Sequence, residues 1–366
     1  MPSPRSPRAP STFAEPARHV GALWCNLRMV TPVGPRDAGS LRPLGALLSE
    51  TDDVLRRGSA AGARVWSTGF PALDTVLTGG LRSGELVLLG GPAGHGKTTI
   101  GLQLARNVVA AGATALVLSY EHESHTLLER LISMEAAEGD TGEVAGVIDV
   151  RRALETAEHG GSLDSVLGSL PGGERALAAL GSYGDRLQIH ESSGATTTLA
   201  TIRETVDRVT EATGQAPFVL LDYIQKVPAD RAEEDERITA VAEGLKDLAL
   251  SARVPVVAIS AADKEALAAG HRMRTHDLRG SSALAFEADV VLIVNDKVDV
   301  VSREHLVYNL GNIQRFRGWS VVSVEKNRHG KAHVELEFAK DFEHGRFHTE
   351  GQEVTERLID DRVFVS

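Results

Sequence analysis

Between Gly91 and Thr98 the chain reads Gly-Pro-Ala-Gly-His-Gly-Lys-Thr, which fits the phosphate-binding spacing G-x-x-x-x-G-K-[ST]. Gly91, Gly94 and Gly96 let the backbone through Pro92, Ala93 and His95 turn with its N–H groups directed at phosphate oxygens. Lys97 can reach the β- and γ-phosphates, and the Thr98 hydroxyl is placed to ligate Mg2+. A helix starting near Thr98 and Thr99 adds the positive end of its dipole. The apolar run Glu85-Leu86-Val87-Leu88-Leu89 precedes the loop, and Ile100, Leu102, Leu104, Ala105, Val108 and Val109 follow it as a mostly apolar helical run. Strand, Gly-rich loop and helix in that order distinguish a nucleotide site from a Gly-rich turn with a stray lysine. The implied ligands are a nucleoside triphosphate and Mg2+.

A second chemical element is Phe218-Val219-Leu220-Leu221-Asp222, an apolar strand ending in an acid. Such a carboxylate holds Mg2+ directly or through water; the plainer reading is a turn aspartate at a strand end. His122 and His125, beside Glu121 and Glu123, have a spacing that could hold a metal on a helical turn, although their place at the nucleotide edge argues against it. The single cysteine, Cys25, excludes an intramolecular disulfide and a cysteine-based zinc site, so a reducing cytoplasm is the simplest setting. Cys25 has no activating partner in its surroundings and is not expected to be a reactive thiol.

The elements that must position these residues follow from composition and period. With 42% hydrophobic residues in 366, the chain can bury one large α/β core. No apolar run approaches the ~20 residues a membrane span needs, and the N-terminus lacks the apolar core of a secretory signal. A net charge of -11 argues against a uniformly basic coat but leaves room for a local basic channel. Residues 1–43 hold eight of the fourteen prolines and six arginines against two acids, so a disordered basic tail is expected there. Residues 44–65 are expected to form a short amphipathic helix and linker, 66–350 the nucleotide-binding core, and 351–366 a C-terminal tail. Within the core, strands are expected at 114–120, 187–190, 254–260 and 289–294. Helices are marked by Leu127, Leu128, Leu131 and Ile132, by Leu199, Ile202, Val206 and Val209, and by Ile238, Val241, Ala242, Leu245, Leu248 and Ala249. Residues 138–186 are Gly-rich and weakly patterned, and 321–347 alternate like β-hairpins. Strands separated by helices imply a mostly parallel sheet with its ligand at the carboxyl ends of the strands.

Several spaced motifs together resemble the C-terminal ATPase domain of DnaB-type replicative helicases, within the RecA-like group. They are the phosphate loop, Asp222-Tyr223-Ile224-Gln225, the run from Glu123-Ser124 through Leu127-Leu128-Glu129-Arg130-Leu131, Asp277-Leu278-Arg279 followed by Ala288-Asp289-Val290-Val291-Leu292, and Lys326-Asn327-Arg328-His329-Gly330. The resemblance implies a RecA-like α/β core with C-terminal β-hairpins, the cofactors ATP and Mg2+, a homo-oligomeric, hexameric ring, and single-stranded DNA as partner. It implies that Glu121 polarises the water that attacks the γ-phosphate, and that Lys326 and Arg328 reach the γ-phosphate of the adjacent subunit. It places a nucleic-acid grip in 261–282, where Lys264, Arg272, Arg274 and Arg279 are the available cations and no aromatic residue offers a stacking platform.

The chain also departs from the family pattern. The family's helical N-terminal domain is not expected in the stretch ahead of the core, which reads as a Pro-rich tail and a short helix, and a primase partnership is therefore not expected. Ala261 stands where the family has a glutamine that senses the γ-phosphate, and Gly280 where it commonly has glutamate. Three readings stay open: a ring helicase or translocase, a regulatory ATPase of the RadA or KaiC kind that switches a protein partner, and a nucleotide-dependent scaffold.

Overall fold

The computed structural model describes residues 41–58, 62–139, 142–157, 161–231, 233–263, 271–307 and 310–360. Most of the expected 1–43 tail, including Cys25, lies outside the described residues, as does Lys264. The chain divides into two compact units, residues 1–62 and 63–366. The first contains α1 (Leu44–Arg56), in which Arg56 Nε donates to Asp52 at 2.6 Å.

The second unit opens with β1 (Val65–Trp66), α2 (Pro71–Val76) and β2 (Leu81–Arg82), which pairs antiparallel with β1. β3 (Leu86–Gly90) leads through the Gly-rich loop into α3 (Lys97–Ala110), followed by β4 (Ala115–Ser119) and α4 (Ser124–Ala137). The weakly patterned stretch then forms α5 (Val147–Glu155), α6 (Leu163–Gly168) and α7 (Gly173–Tyr183), which share a small core with α4 through Ile132, Ala136, Val150, Leu167 and Ala176. Alternation resumes with β5 (Leu187–Glu191), α8 (Leu199–Thr213), β6 (Phe218–Asp222), α9 (Glu234–Ala252), β7 (Val256–Ser260), α10 (Ser281–Glu287) and β8 (Val290–Asp296). Three short helices, α11 (Lys297–Val300), α12 (Glu304–Val307) and α13 (Leu310–Arg317), precede β9 (Trp319–Asn327), β10 (Val334–Asp341), β11 (Arg346–Phe347) and β12 (Gln352–Glu353).

The main sheet runs β11-β10-β9-β8-β3-β7-β6-β4-β5, with β12 on β10. From β8 to β5 every pairing is parallel; β9 to β12 add antiparallel strands. This is an α/β fold of RecA type with C-terminal hairpins. The alternation of side chains along a strand divides the apolar residues between the two faces. Val87 and Leu89 join the core beneath α3, whereas Leu86 and Leu88 join the one beneath α8 and α9. Because both faces are covered, these strands are continuously apolar. Among the described residues no helix is long and apolar enough to cross a membrane.

One buried acid anchors the entry to the central strands. Asp289 Oδ2 accepts from the Leu86 N–H at 2.8 Å and from Lys246 Nζ at 2.6 Å. Asp289→Ala would leave the buried Leu86 N–H without its acceptor and the part-buried Lys246 ammonium with Gly84 O but no counter-charge. It is expected to lower unfolding stability by about 3 kcal/mol, read from the urea midpoint at unchanged m-value.

Candidate nucleotide site

The carboxyl ends of β3, β4, β6 and β7 open on one cavity of about 620 Å³. Ala93, Gly94, Gly96, Lys97, Thr98 and Thr99 line it from the phosphate loop; Glu121 and Asp222 line it from the ends of β4 and β6. Gly96, the residue before α3, has φ 88°, and a Cβ there would lie 2.8 Å from the rings of both Phe342 and Phe347. Only glycine fits that turn. Gln103 of α3 fixes β11 from below: its Nε2 donates to Phe347 O and its Oε1 accepts from Phe347 N, both at 2.8 Å. The loop is therefore held on its outer side by the C-terminal strands. Gly91, Pro92 and His95 shape the loop without lining the cavity, and the His95 ring faces Asp296 at 3.8 Å.

Lys97 Nζ donates to the carbonyl oxygens of Gly91 and Pro92, each at 2.8 Å. Burial holds its ammonium below the usual lysine range, against the opposing pull of Asp222 and Glu121. Thr98 Oγ1 donates to Asp222 Oδ2 at 2.7 Å, while Asp222 Oδ1 is buried with no hydrogen-bond partner. Burial pushes the Asp222 carboxyl up to about 6, with the Thr98 hydrogen bond working in the opposite direction. A hydroxyl beside a desolvated, half-satisfied carboxylate is a fitting oxygen-donor pair for Mg2+. Ligand atoms of Glu121, His122 and Asp222 all lie within 4.8 Å of one another. It is thus His122 alone, without the exposed His125, that joins the acids.

The structure also brings in residues that the spacing did not single out for chemistry. Arg130 of α4 and Arg151 of α5 line the same cavity, as does Phe342. Burial depresses the pKa of the Arg130 guanidinium, while Asp222 and Glu121 raise it. The helical period offered a signal for Arg130, three residues after the core-facing Leu127. Arg151 had none, because 138–186 shows no clear period.

Lys326 and Arg328 do not line this cavity. Lys326 and Asn327 pair with Val291 and Val290, so this hairpin lies at the amino end of β8, the sheet edge opposite the phosphate loop. Lys326 Nζ donates to Ala285 O at 2.7 Å, and Arg328 Nη2 donates to Phe286 O at 3.1 Å.

The described cations of 261–282 differ from the expectation of an available set. Arg272 is 3% exposed, ion-paired with Glu335 and donating to Ser323 Oγ at 3.1 Å. Burial and pairing remove it from any phosphate-facing surface. Arg274 pairs with Glu325 and Asp360, each at 2.7 Å, and Arg279 pairs with Glu234. Gly280 explains another departure: its φ is 79°, and a Cβ there would lie 2.7 Å from Ile238, leaving no room for glutamate.

With the fold and site in view, similarity to known proteins becomes informative. The family described as the DnaB-like helicase C terminal domain matches residues 66–157 and 174–348. The replicative DNA helicase DnaB of Haemophilus influenzae is 26% identical over 296 residues, covering 80% of this chain and 58% of that protein. The replicative DNA helicase DnaC of Bacillus subtilis is 26% identical over 241 residues, covering 64% of this chain and 47% of that protein. The chain thus spans about half the length of these relatives. Among solved structures, an isolated ATPase domain superposes with a TM-score of 0.65 at 19% identity, covering 85% of this chain and 99% of that one. A DnaB-like replicative helicase studied with primase gives 0.64 at 18% identity, covering 82% and 67%. The family match takes in more than half of the sequence and both edges of the nucleotide cavity, and on it this chain belongs to the DnaB-like helicase C-terminal domain family.

Proposed function

We propose that the chain hydrolyses ATP at sites shared between neighbouring copies in a ring and uses the cycle to move along single-stranded DNA. The observation that carries this reading is a division of the machinery. The phosphate loop, Asp222 and Glu121 converge on one cavity, while Lys326 and Arg328 stand at the opposite sheet edge. Cations there do not reach their own chain's cavity, which supports the reading that they serve a neighbour's once released from Asp289 and the Ala285 and Phe286 carbonyls.

In this mechanism the loop N–H groups and Lys97 hold the β- and γ-phosphates, and Thr98 and Asp222 would hold Mg2+. The metal, when bound, withdraws charge from the phosphate oxygens. Glu121, exposed at the mouth of the cavity, orients a water in line with the γ-phosphate and accepts its proton. Arg130 supplies positive charge from the same chain, and Arg328 of the next copy neutralises the transition state.

The test is steady-state hydrolysis with and without single-stranded DNA, at low and high salt. Strong stimulation that fades with salt is expected, because backbone contacts release counterions. Arg328→Ala should lower turnover about 1,000-fold or more, and mixing it with a Lys97→Ala partner should restore part of the activity through mixed interfaces. Hydrolysis indifferent to DNA would move the reading to a regulatory ATPase that switches a protein partner. The internal pairing of Arg272, Arg274 and Arg279 favours that second reading.

A further inference from the structure

Asp222 ends β6, and two residues later the chain enters a tight turn over Ile224–Lys226. Within that turn Gln225 is 8% exposed, and its amide reaches across to the next strand. Gln225 Nε2 donates to Ser260 Oγ at 2.9 Å and to Arg279 O at 3.2 Å, and its Oε1 accepts from the Ala261 N–H at 3.1 Å. One side chain thus links the metal-holding strand, the end of β7 and the far end of the excursion that leaves β7. That excursion is closed at its base: Arg279 N donates to Ala261 O at 3.1 Å, Asp263 N donates to Asp277 O at 2.8 Å, and Ala262 bridges Leu278.

We infer that Gln225 is a positioning residue that transmits the occupancy of the Asp222 site to the base of the 261–279 segment. The inference rests on the nucleotide-hydrolysis reading and adds the route by which that site acts at a distance. Ala261 and Ala262 line the cavity with methyl groups, so neither can report a phosphate through its side chain. The link passes instead through the Gln225 amide, which supplies two donors and an acceptor and has both its nitrogen and its oxygen engaged. Ile224 beside it is 1% exposed, so the turn that follows Asp222 is anchored in the packed core. Hydrogen bonds weaken steeply with misalignment, so movement of this turn bears directly on the Ala261 N–H and the Arg279 carbonyl.

The test is hydrogen–deuterium exchange of the amides of Asp263 and Arg279, with and without Mg2+ and a non-hydrolysable ATP analogue. The full-length wild type is compared with Gln225→Met, which keeps the volume and removes the donors. In the wild type the analogue should change exchange at these amides by about fivefold, the weight of one hydrogen bond. In Gln225→Met that change should vanish, while the analogue still protects 91–99 and binds with nearly unchanged affinity. A purely structural role would instead raise exchange equally in both states and leave the nucleotide response in place, which would overturn the inference. Should Gln225→Met fail to fold, Gln225→Glu decides: it keeps the acceptor for Ala261 and should lose the response at Arg279. A wild type with protection at 91–99 but no response at 263 and 279 overturns the link alone. Absence of protection at 91–99 overturns the nucleotide reading and the link with it.

Discussion

Lys97→Ala is expected to lower ATP turnover about 100- to 1,000-fold and to weaken nucleotide binding at least tenfold, measured by phosphate release and by titration of a fluorescent nucleotide. The geometry explains the size of both effects. Lys97 opens α3 with its ammonium already folded onto the carbonyls of Gly91 and Pro92, beside the acids it must offset. Phosphate oxygens would replace those carbonyls as acceptors, so the charge is held in place before ligand arrives. Without nucleotide the variant should melt within about 1 kcal/mol of the wild type, because the two lost hydrogen bonds are offset by removal of a desolvated charge. Unchanged turnover would sink the assignment of the loop.

Glu121→Gln separates chemistry from binding. The amide keeps the size of the side chain but cannot take a proton from the attacking water. Turnover should fall about 100- to 10,000-fold with nucleotide affinity nearly unchanged. Because Glu121 is exposed, whereas Asp222 is buried against Thr98, the fold should not register the substitution. Loss of nucleotide affinity equal to the loss of turnover would mean that Glu121 holds the nucleotide and does not activate water. Retained turnover would direct attention to His122, the next proton acceptor in the same cluster.

The same contrast between local and distant interactions governs what could be read before the fold was known. α8 and α9 followed their apolar period, and β3, β4, β6, β7 and β8 followed their runs to within a few residues. α5 to α7 escaped because they bury a narrow face against α4 in a small core of their own, which requires few apolar positions. α11 to α13 are too short to display a period, and Lys297 within them is buried through ion pairs with Glu337 and Glu356. Such burial leaves no apolar signature.

By itself the sequence determined the strand–loop–helix unit of the candidate phosphate site, because its parts are contiguous: β3, a Gly-rich turn, and a helix beginning at Lys97. It likewise marked Asp222, since a carboxylate ending an apolar strand must lie at the ligand edge of a parallel sheet. Only the tertiary structure decided which other charges share that site. The strands β8, β3, β7, β6 and β4 share one nearly continuous apolar pattern, so their order is invisible along the chain, yet that order brings Asp222 beside Thr98 and Gln225 beside Ala261. The C-terminal strand β10 and the segment after β12 bring Glu335 to Arg272 and Asp360 to Arg274, turning two expected phosphate contacts into intrachain ion pairs. Charge and spacing show what a residue can do; its partners depend on packing between segments far apart in the chain.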